Sequence, residues 1–426
     1  MQVRPSERFR GRFRIGGDKS ISHRLALFGG MALGKTEVTN YSDAADCAST
    51  LACLQSLGVR VERSADHVRI ESDGIDAWRE PVGVLDAGNS GTTLRLLAGI
   101  LAGRPFRSEI TGDESLSRRP VERVAVPLRA MGARLDSTDG HAPLVIHGGD
   151  LRAVDWKLNV ASAQVKTAVL LAGIQARGVT SVTEPEASRD HTERLLPAFG
   201  VPVRRDGLTA AVDGGSRLSG GSRFSVPGDI SSASFLLVAA LVASDGEVEV
   251  EGVSLNPGRT AFLDVLREMG ANLEIRLTAS EPEPVGTIVA RSSRLVGTTV
   301  RAARVPALID EVPILAVAGA MAEGEFVVEG AGELRVKESD RIAALAEGLS
   351  RMGTRLEERP DGLVIRGGKR LQGASVRSFG DHRIAMALAV AGLAAEGATE
   401  IEDSDCVGVS FPDFFQRLRE GSKRDE

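Results

Sequence analysis

An internal repeat constrains this chain more than any other feature. A short strand leads into a Gly- or Ser-bearing turn and a small-residue apolar helix. A Gly-led β-run follows, then a second helix and a closing strand pair, and the pattern returns roughly every 55–75 residues. The first copy runs from Arg12 to about Ser72. Its first helix ends at Gly34, its second spans Asp46 to Leu57, and Val59, Val61, Val68 and Ile70 then alternate as strand residues. Later copies start near Val82, Trp156, Phe224, Val300 and Ser375. Second helices end at Leu57-Gly58, Met131-Gly132, Phe199-Gly200, Met269-Gly270 and Met352-Gly353, and the sixth copy closes with Phe411 to Leu418.

The one long Gly/Ser-rich stretch, Gly214 to Ser222, lies between the third and fourth copies and reads as a flexible crossing. Three copies on each side predict an α/β protein of two pseudo-threefold domains. The first helix of each copy is rich in Ala, Leu and Val nearly all round, so it is buried rather than surface-lying. Buried first helices would point their N-termini to one end of each domain and make a positive-dipole face there. A cleft between two such faces would suit an anionic ligand.

The turn Gly16-Gly17-Asp18-Lys19-Ser20-Ile21-Ser22-His23-Arg24 shows the device most fully. Two glycines allow a sharp turn and a close backbone approach. Ser20 is a plausible N-cap. Lys19 and His23 are four apart, as are Ser20 and Arg24, so each pair shares a helix face. A lysine, a serine and an arginine beside outward-pointing N–H groups are suited to hold a phosphate or carboxylate. A protein-binding repeat scaffold would have no reason to place Lys and Arg after Gly-rich turns in copy after copy.

Length and composition set the remaining bounds. A chain of 426 residues predicts two or three domains, and 42% apolar with 26% charged residues is a globular balance. Aromatics at 4%, with Trp only at positions 78 and 156, leave no stacking platform for single-stranded nucleic acid. A net charge of −6 argues against a general nucleic-acid binder. Cys47, Cys53 and Cys406 form neither metal-ligand spacing nor a disulfide framework. The N-terminus lacks the apolar core of a signal peptide, and no apolar run is long enough to span a membrane. A cytoplasmic monomer is expected.

Six strings, in order along almost the whole chain, resemble the 5-enolpyruvylshikimate-3-phosphate synthases within the enolpyruvyl transferases. They are Asp18-Lys19-Ser20-Ile21-Ser22-His23-Arg24, Gly88-Asn89-Ser90-Gly91-Thr92-Thr93-Leu94-Arg95, Arg118-Arg119-Pro120, Ser162-Ala163-Gln164-Val165-Lys166, Arg335-Val336-Lys337-Glu338-Ser339-Asp340-Arg341 and Gly380-Asp381-His382-Arg383. The resemblance implies six βαβαββ-type repeats in an inside-out α/β barrel arrangement, three per domain. The N-terminal strand would join the C-terminal domain, giving domains of residues 1–17 with 223–426 and residues 18–222 and an active site in the cleft between them. It implies transfer of the enolpyruvyl group of phosphoenolpyruvate to the 5-hydroxyl of shikimate 3-phosphate, with release of phosphate and with no metal or organic cofactor.

By the same resemblance, Arg119, Arg341 and Arg383 would grip phosphoenolpyruvate, together with Lys19 and with Gly91 leaving backbone room. Gln164 would touch both substrates. Ser162, Ala163 and Arg189 would hold the shikimate phosphate, while Lys19, Ser20, Arg24 and Lys337 would bind the ring and its carboxylate. Asp310 would take the proton from the hydroxyl, and Glu338 and Lys19 are the candidates for proton delivery. Asn89, Thr92 and Arg95 would shape the pocket, with His382 as a neighbour. On sequence grounds Asp310 begins a helical run from Glu311 to Ala320, and Glu338 shares a helix start with Arg341.

Three positions depart from a branch pattern. Val409 stands where one branch has a lysine touching phosphoenolpyruvate, and Glu333 where it has an asparagine. Arg189-Asp190-His191-Thr192-Glu193 and the Lys166 string resemble the branch often tolerant of glyphosate, yet Gly258 replaces that branch's usual threonine. The sister enzyme acting on UDP-N-acetylglucosamine normally carries a reactive cysteine in the loop matching Gly112 to Pro120, and none is present here.

Overall fold

The computed structural model describes residues 1–423. The chain divides into two units, one of residues 17–226 with 281–283, the other of residues 1–16, 227–280 and 284 onward. The unit beginning at residue 17 contains three four-stranded sheets. Their strand orders are Arg223–Ser225, Leu33–Thr39, His67–Asp73, Arg60–Ser64; Leu85–Asp86, Arg107–Thr111, His141–His147, Arg134–Thr138; and Asp155–Lys157, Val179–Thr183, Thr209–Asp213, Arg204–Asp206. In each sheet the first pair is parallel and the others are antiparallel. Where a parallel pair is joined within one repeat, the buried first helix makes the crossover that such a pair needs.

The other unit has two four-stranded sheets, Arg8–Arg14, Asp245–Ser254, Val285–Arg291, Asn272–Ala279 and Thr299–Val300, Glu325–Val328, Gly362–Arg366, Arg355–Arg359. Its third sheet is three-stranded, with Ser375–Arg377 parallel to Thr399–Glu402 and Gln2–Val3 antiparallel on the far side. Among the described residues the sixth repeat therefore has no closing strand pair, and it ends in the helix Phe414–Ser422, whose Phe414 packs edge-on against Phe235 with ring centroids 6.0 Å apart.

Two strands change places relative to the sequence order of the repeats. The strand that opens the first repeat pairs with Asp245–Ser254, and the strand that opens the fourth, Arg223–Ser225, pairs with Leu33–Thr39. Side-chain alternation explains the first exchange. Phe9 and Phe13 turn into the core, while Arg10, Arg12 and Arg14 point outward onto a matching acidic row. Arg10 lies 2.9 Å from Asp245, Arg12 3.0 Å from Glu249 and Arg14 3.1 Å from Glu251. The second exchange corrects the reading of Gly214 to Ser222 as a free crossing. Gly214 and Gly215 donate to Gly178 O and Ile174 O, and from Leu218 the stretch runs hydrogen-bonded along the strand Leu33–Thr39, with Gly220 N donating to Leu33 O and Glu37 N to Ser222 O. The chain changes unit at Gly16/Gly17 and Val226/Pro227, not at 17/18 and 222/223, because Arg223–Ser225 remains in that sheet.

The first helices are Lys19–Met31, Gly91–Leu101 and Ala163–Gln175 in one unit and Ile230–Val242, Val312–Met321 and His382–Leu393 in the other. All are buried along most of their length, as their uniform apolar composition predicts. Gly99 lets two of them touch, since a Cβ there would run into the Ala168 carbonyl. The Gly of each Leu-Gly, Met-Gly or Phe-Gly pair has φ between +82° and +102°, the left-handed stop that ends the second helices at residues 58, 132, 200, 270 and 353.

Candidate active site

In the unit beginning at residue 17, three helix N-termini carry the expected groups. Asp18, not Ser20, caps Lys19–Met31, accepting from Ile21 N at 2.9 Å. A carboxylate is the stronger acceptor for a cap at a positive helix end, and Ser20 lies inside the first turn. Ser90 and Ser162 cap the other two helices through Thr93 N and Val165 N. Ala163 opens the last of these helices and is half-buried, as is Ser162.

Several side chains tie these N-termini together. The Gln164 Oε1 accepts from Arg95 Nη1 at 2.8 Å, and its Nε2 donates to Thr92 Oγ1 at 2.9 Å. Arg95 Nη1 also reaches Gly91 O, so a Cβ on Gly91 would strike that guanidinium. Lys19 Nζ lies 2.8 Å from Asp46, a partner that the sequence reading missed. Its signal was an acidic residue opening the helix Ala45–Ser56. Arg119 donates to Asn89 Oδ1 at 2.7 Å and Ser115 Oγ at 3.0 Å, while Asn89 donates to Asp113.

Behind this face runs a buried chain of hydroxyls. His23 Nδ1 is 2.7 Å from Thr50 Oγ1, which is 2.7 Å from Thr93 Oγ1, and Thr93 donates to Ser90 Oγ at 2.8 Å. Burial pushes the His23 pKa down to about 3, so the ring is neutral and serves as part of the frame.

Arg24 does not extend outward, as expected from its spacing with Ser20. It is 2% exposed, and its three nitrogens donate to Thr192 Oγ1, Ser20 O and Thr167 Oγ1. Burial lowers its pKa to about 10, still charged at neutral pH. Arg189 is half-buried, with Nη1 3.5 Å from Ser20 Oγ.

The other unit gathers its charges around one arginine. Arg341 Nε lies 2.8 Å from Asp381 Oδ2, its Nη2 2.6 Å from Glu338 Oε2 and its Nη1 3.4 Å from Asp310 Oδ1. Burial opposes this charge, but Asp381, Glu338 and Asp310 overcome it and raise the arginine's pKa above the ordinary value. Burial alone would raise the Asp381 carboxyl, but Arg341 holds it below the usual range. Asp381 also caps His382–Leu393 through Arg383 N. His382 is buried in the first turn of that helix.

Asp310 faces three cations: Arg341, Arg383 Nη2 at 3.7 Å and Lys337 Nζ at 3.9 Å. Asp310 stands immediately before Glu311, the N-cap position of the helix Val312–Met321, so its carboxylate meets these side-chain cations at that helix's N-terminal end. One local expectation is corrected. Glu338 precedes the Asp340 cap of Arg341–Arg351 and meets Arg341 across that turn rather than along the helix. Of the departures, Val409 ends a 3₁₀ turn, Ser404–Val409, and Glu333 lies in another, Gly332–Val336.

Among the described residues no cluster of three or more His, Cys, Asp or Glu is placed to hold a metal ion, and no helix is long and apolar enough to cross a membrane.

Six α/β modules, with capped helix N-termini and convergent cations in each unit, define a class of two-unit α/β protein suited to anionic ligands. The family model described as EPSP synthase (3-phosphoshikimate 1-carboxyvinyltransferase) matches residues 3–418. A 3-phosphoshikimate 1-carboxyvinyltransferase of Desulfitobacterium hafniense is 49% identical over 423 residues, covering 99% of this chain and 97% of the relative. One from Desulforudis audaxviator is 50% identical over 422 residues, covering 98% of each. A solved EPSP synthase from Acinetobacter baumannii superposes with a TM-score of 0.87 at 42% identity, over 99% of this chain and 97% of that one. The chain belongs to the EPSP synthase family.

Proposed function

We propose that Asp310, Glu338 and Lys19 carry the proton transfers of the family's reaction, and that the cations around them hold its two substrates. The reaction is enolpyruvyl transfer in the shikimate pathway. The 5-hydroxyl oxygen of shikimate 3-phosphate adds to the central carbon of phosphoenolpyruvate while the methylene carbon gains a proton. The resulting tetrahedral intermediate then loses that proton and expels phosphate. Addition needs a base at the hydroxyl and an acid at the methylene.

The observation that carries the reading is the position of Asp310 among Lys337, Arg341 and Arg383. A carboxylate so placed can take the hydroxyl proton, while the cations beside it meet the charge of a phosphorylated carboxylate. Arg341 would exchange Glu338 for phosphoenolpyruvate, which leaves Glu338 able to act as the acid. Lys19, beside Asp46, is the second donor candidate and would neutralise charge in the intermediate. Arg119 and Arg383 complete the grip on phosphoenolpyruvate, and Gly91 leaves it backbone room.

For shikimate 3-phosphate, the capped N-terminus at Ser162 and Ala163 with Arg189 would take the phosphate. Ser20 and Lys337 would take the ring and carboxylate. Arg24, bonded within its unit, would set the place of Ser20 and Thr192 under that substrate. Gln164 would face both substrates, framed by Thr92, Arg95 and Asn89. His382 would act through its position beside Asp381. The reading also includes a monomer in a reducing cytoplasm, which suits the free, buried thiols of Cys47 and Cys53. Incubation with phosphoenolpyruvate and shikimate 3-phosphate should release inorganic phosphate only when both are present. Phosphate release from phosphoenolpyruvate alone at the same rate would overturn the reading.

A further inference from the structure

A buried lysine outside the reacting groups joins two separate strings of the sequence. Lys166 is 3% exposed, and its Nζ lies 2.6 Å from Glu184 Oε2 and 2.7 Å from Glu193 Oε1. Those carboxylates stand on either side of Arg189 in the chain. Next to the lysine, Thr167 Oγ1 is 2.6 Å from Thr192 Oγ1, and Arg24 Nε donates to the same hydroxyl. Ser188, the neighbour of Arg189, donates to Glu184 Oε1. On the other side Asp190 is held by Arg194 at 2.9 Å and Arg205 at 3.1 Å. The segment is thus fastened at Glu184, Ser188, Asp190, Thr192 and Glu193, and half-buried Arg189 lies between these ties.

We propose that Lys166 is a positioning residue which, through Glu184 and Glu193, fixes the segment that presents Arg189 to the phosphate of shikimate 3-phosphate. The proposal rests on the assignment of Arg189 made above. Burying a lysine and two glutamates is costly, and such a cluster is weak evidence for stability but suited to holding a specific conformation. Arg189 sits on a segment between strand and helix, where a bidentate contact loses most of its worth if its backbone drifts by about an ångström. The arrangement joins the Lys166 string to the Arg189 string in this chain, since the Lys166–Glu193 ion pair needs both.

The test compares KM for each substrate in Ser188→Ala, in Lys166→Met/Glu184→Gln, in their combination and in Arg189→Ala. The paired substitution removes one charge of each sign, so Glu193 keeps the charge of Arg24 as a counterpart. Ser188→Ala is mild and remains informative if the pair does not fold. KM for shikimate 3-phosphate should rise about tenfold in the pair, the worth of one charge-assisted contact, and severalfold in Ser188→Ala. KM for phosphoenolpyruvate should stay within about twofold. Adding Ser188→Ala to the pair should have no further effect, because both act on one tie. Equal changes in both KM values would overturn the proposal. So would unchanged values in these variants beside a raised one in Arg189→Ala, which would leave the arginine's own assignment standing. An unchanged KM for shikimate 3-phosphate in Arg189→Ala would overturn that assignment and this proposal together.

Discussion

Arg341 and Asp381 form an ion pair shut away from water, with Nε 2.8 Å from Oδ2 and side chains 1% and 0% exposed. The pair does two jobs, since Asp381 also accepts from Arg383 N and Ser339 Oγ. One carboxylate therefore orients the Arg341 guanidinium and caps the helix that begins at His382. Removing it would leave buried Arg341 with Glu338 and Asp310 only.

Asp381→Asn should destabilise the unit by about 3 kcal/mol, the low end for breaking a buried pair, because two other carboxylates remain. The folded-state pKa of Asp381 is lowered, so its contribution is complete above the ordinary carboxyl pKa and is lost as pH falls through the folded value. Urea unfolding should show a constant difference between variant and wild type from about pH 8 to pH 5, narrowing below about pH 4. A difference that grew on acidification would contradict this sign.

Asp310→Asn keeps the shape of the side chain but not its basicity. Binding of shikimate 3-phosphate, read by calorimetry, should persist, while kcat falls by roughly 10²–10⁴. A near-normal kcat would remove Asp310 from proton transfer.

Arg119→Ala should raise KM for phosphoenolpyruvate well above any change in KM for shikimate 3-phosphate. Arg119→Lys should restore it only in part, because Asn89 and Ser115 aim the planar fork and an ammonium has no such plane. Full recovery by lysine would mean that charge alone suffices.

Gly91→Ala places a methyl against Arg95 and disturbs its bond to Gln164. Inhibition by glyphosate, which is slightly longer than phosphoenolpyruvate, should weaken by a larger factor than KM rises. Loss of both by the same factor would show that the methyl acts on the shared anion grip and not on ligand length.

Much of this architecture could be read directly from the sequence. Uniformly apolar helices in a recurring module have to be buried, and the glycine that closes each Leu-Gly, Met-Gly or Phe-Gly pair ends a helix, because both follow from local chemistry. The same logic brought Lys19, Gln164 and Arg341 to helix starts. It misplaced the cap at Ser20, since neighbouring polar residues compete for one helix end and only the packed backbone selects among them.

Partners distant in sequence were not legible. Nothing local links Lys19 to Asp46, Lys166 to Glu193 or Arg341 to Asp381, and nothing local says that Arg8–Arg14 leaves its own repeat for the edge of Asp245–Ser254. The sequence by itself determined the modules, the face that their helix ends make and the kinds of charge placed there. The tertiary structure decided which charges meet, because the sign and distance of a pairing depend on chain segments that only folding brings together. It likewise decided which strand completes which sheet, because a strand's row of arginines finds its acidic match only once the sheet exists.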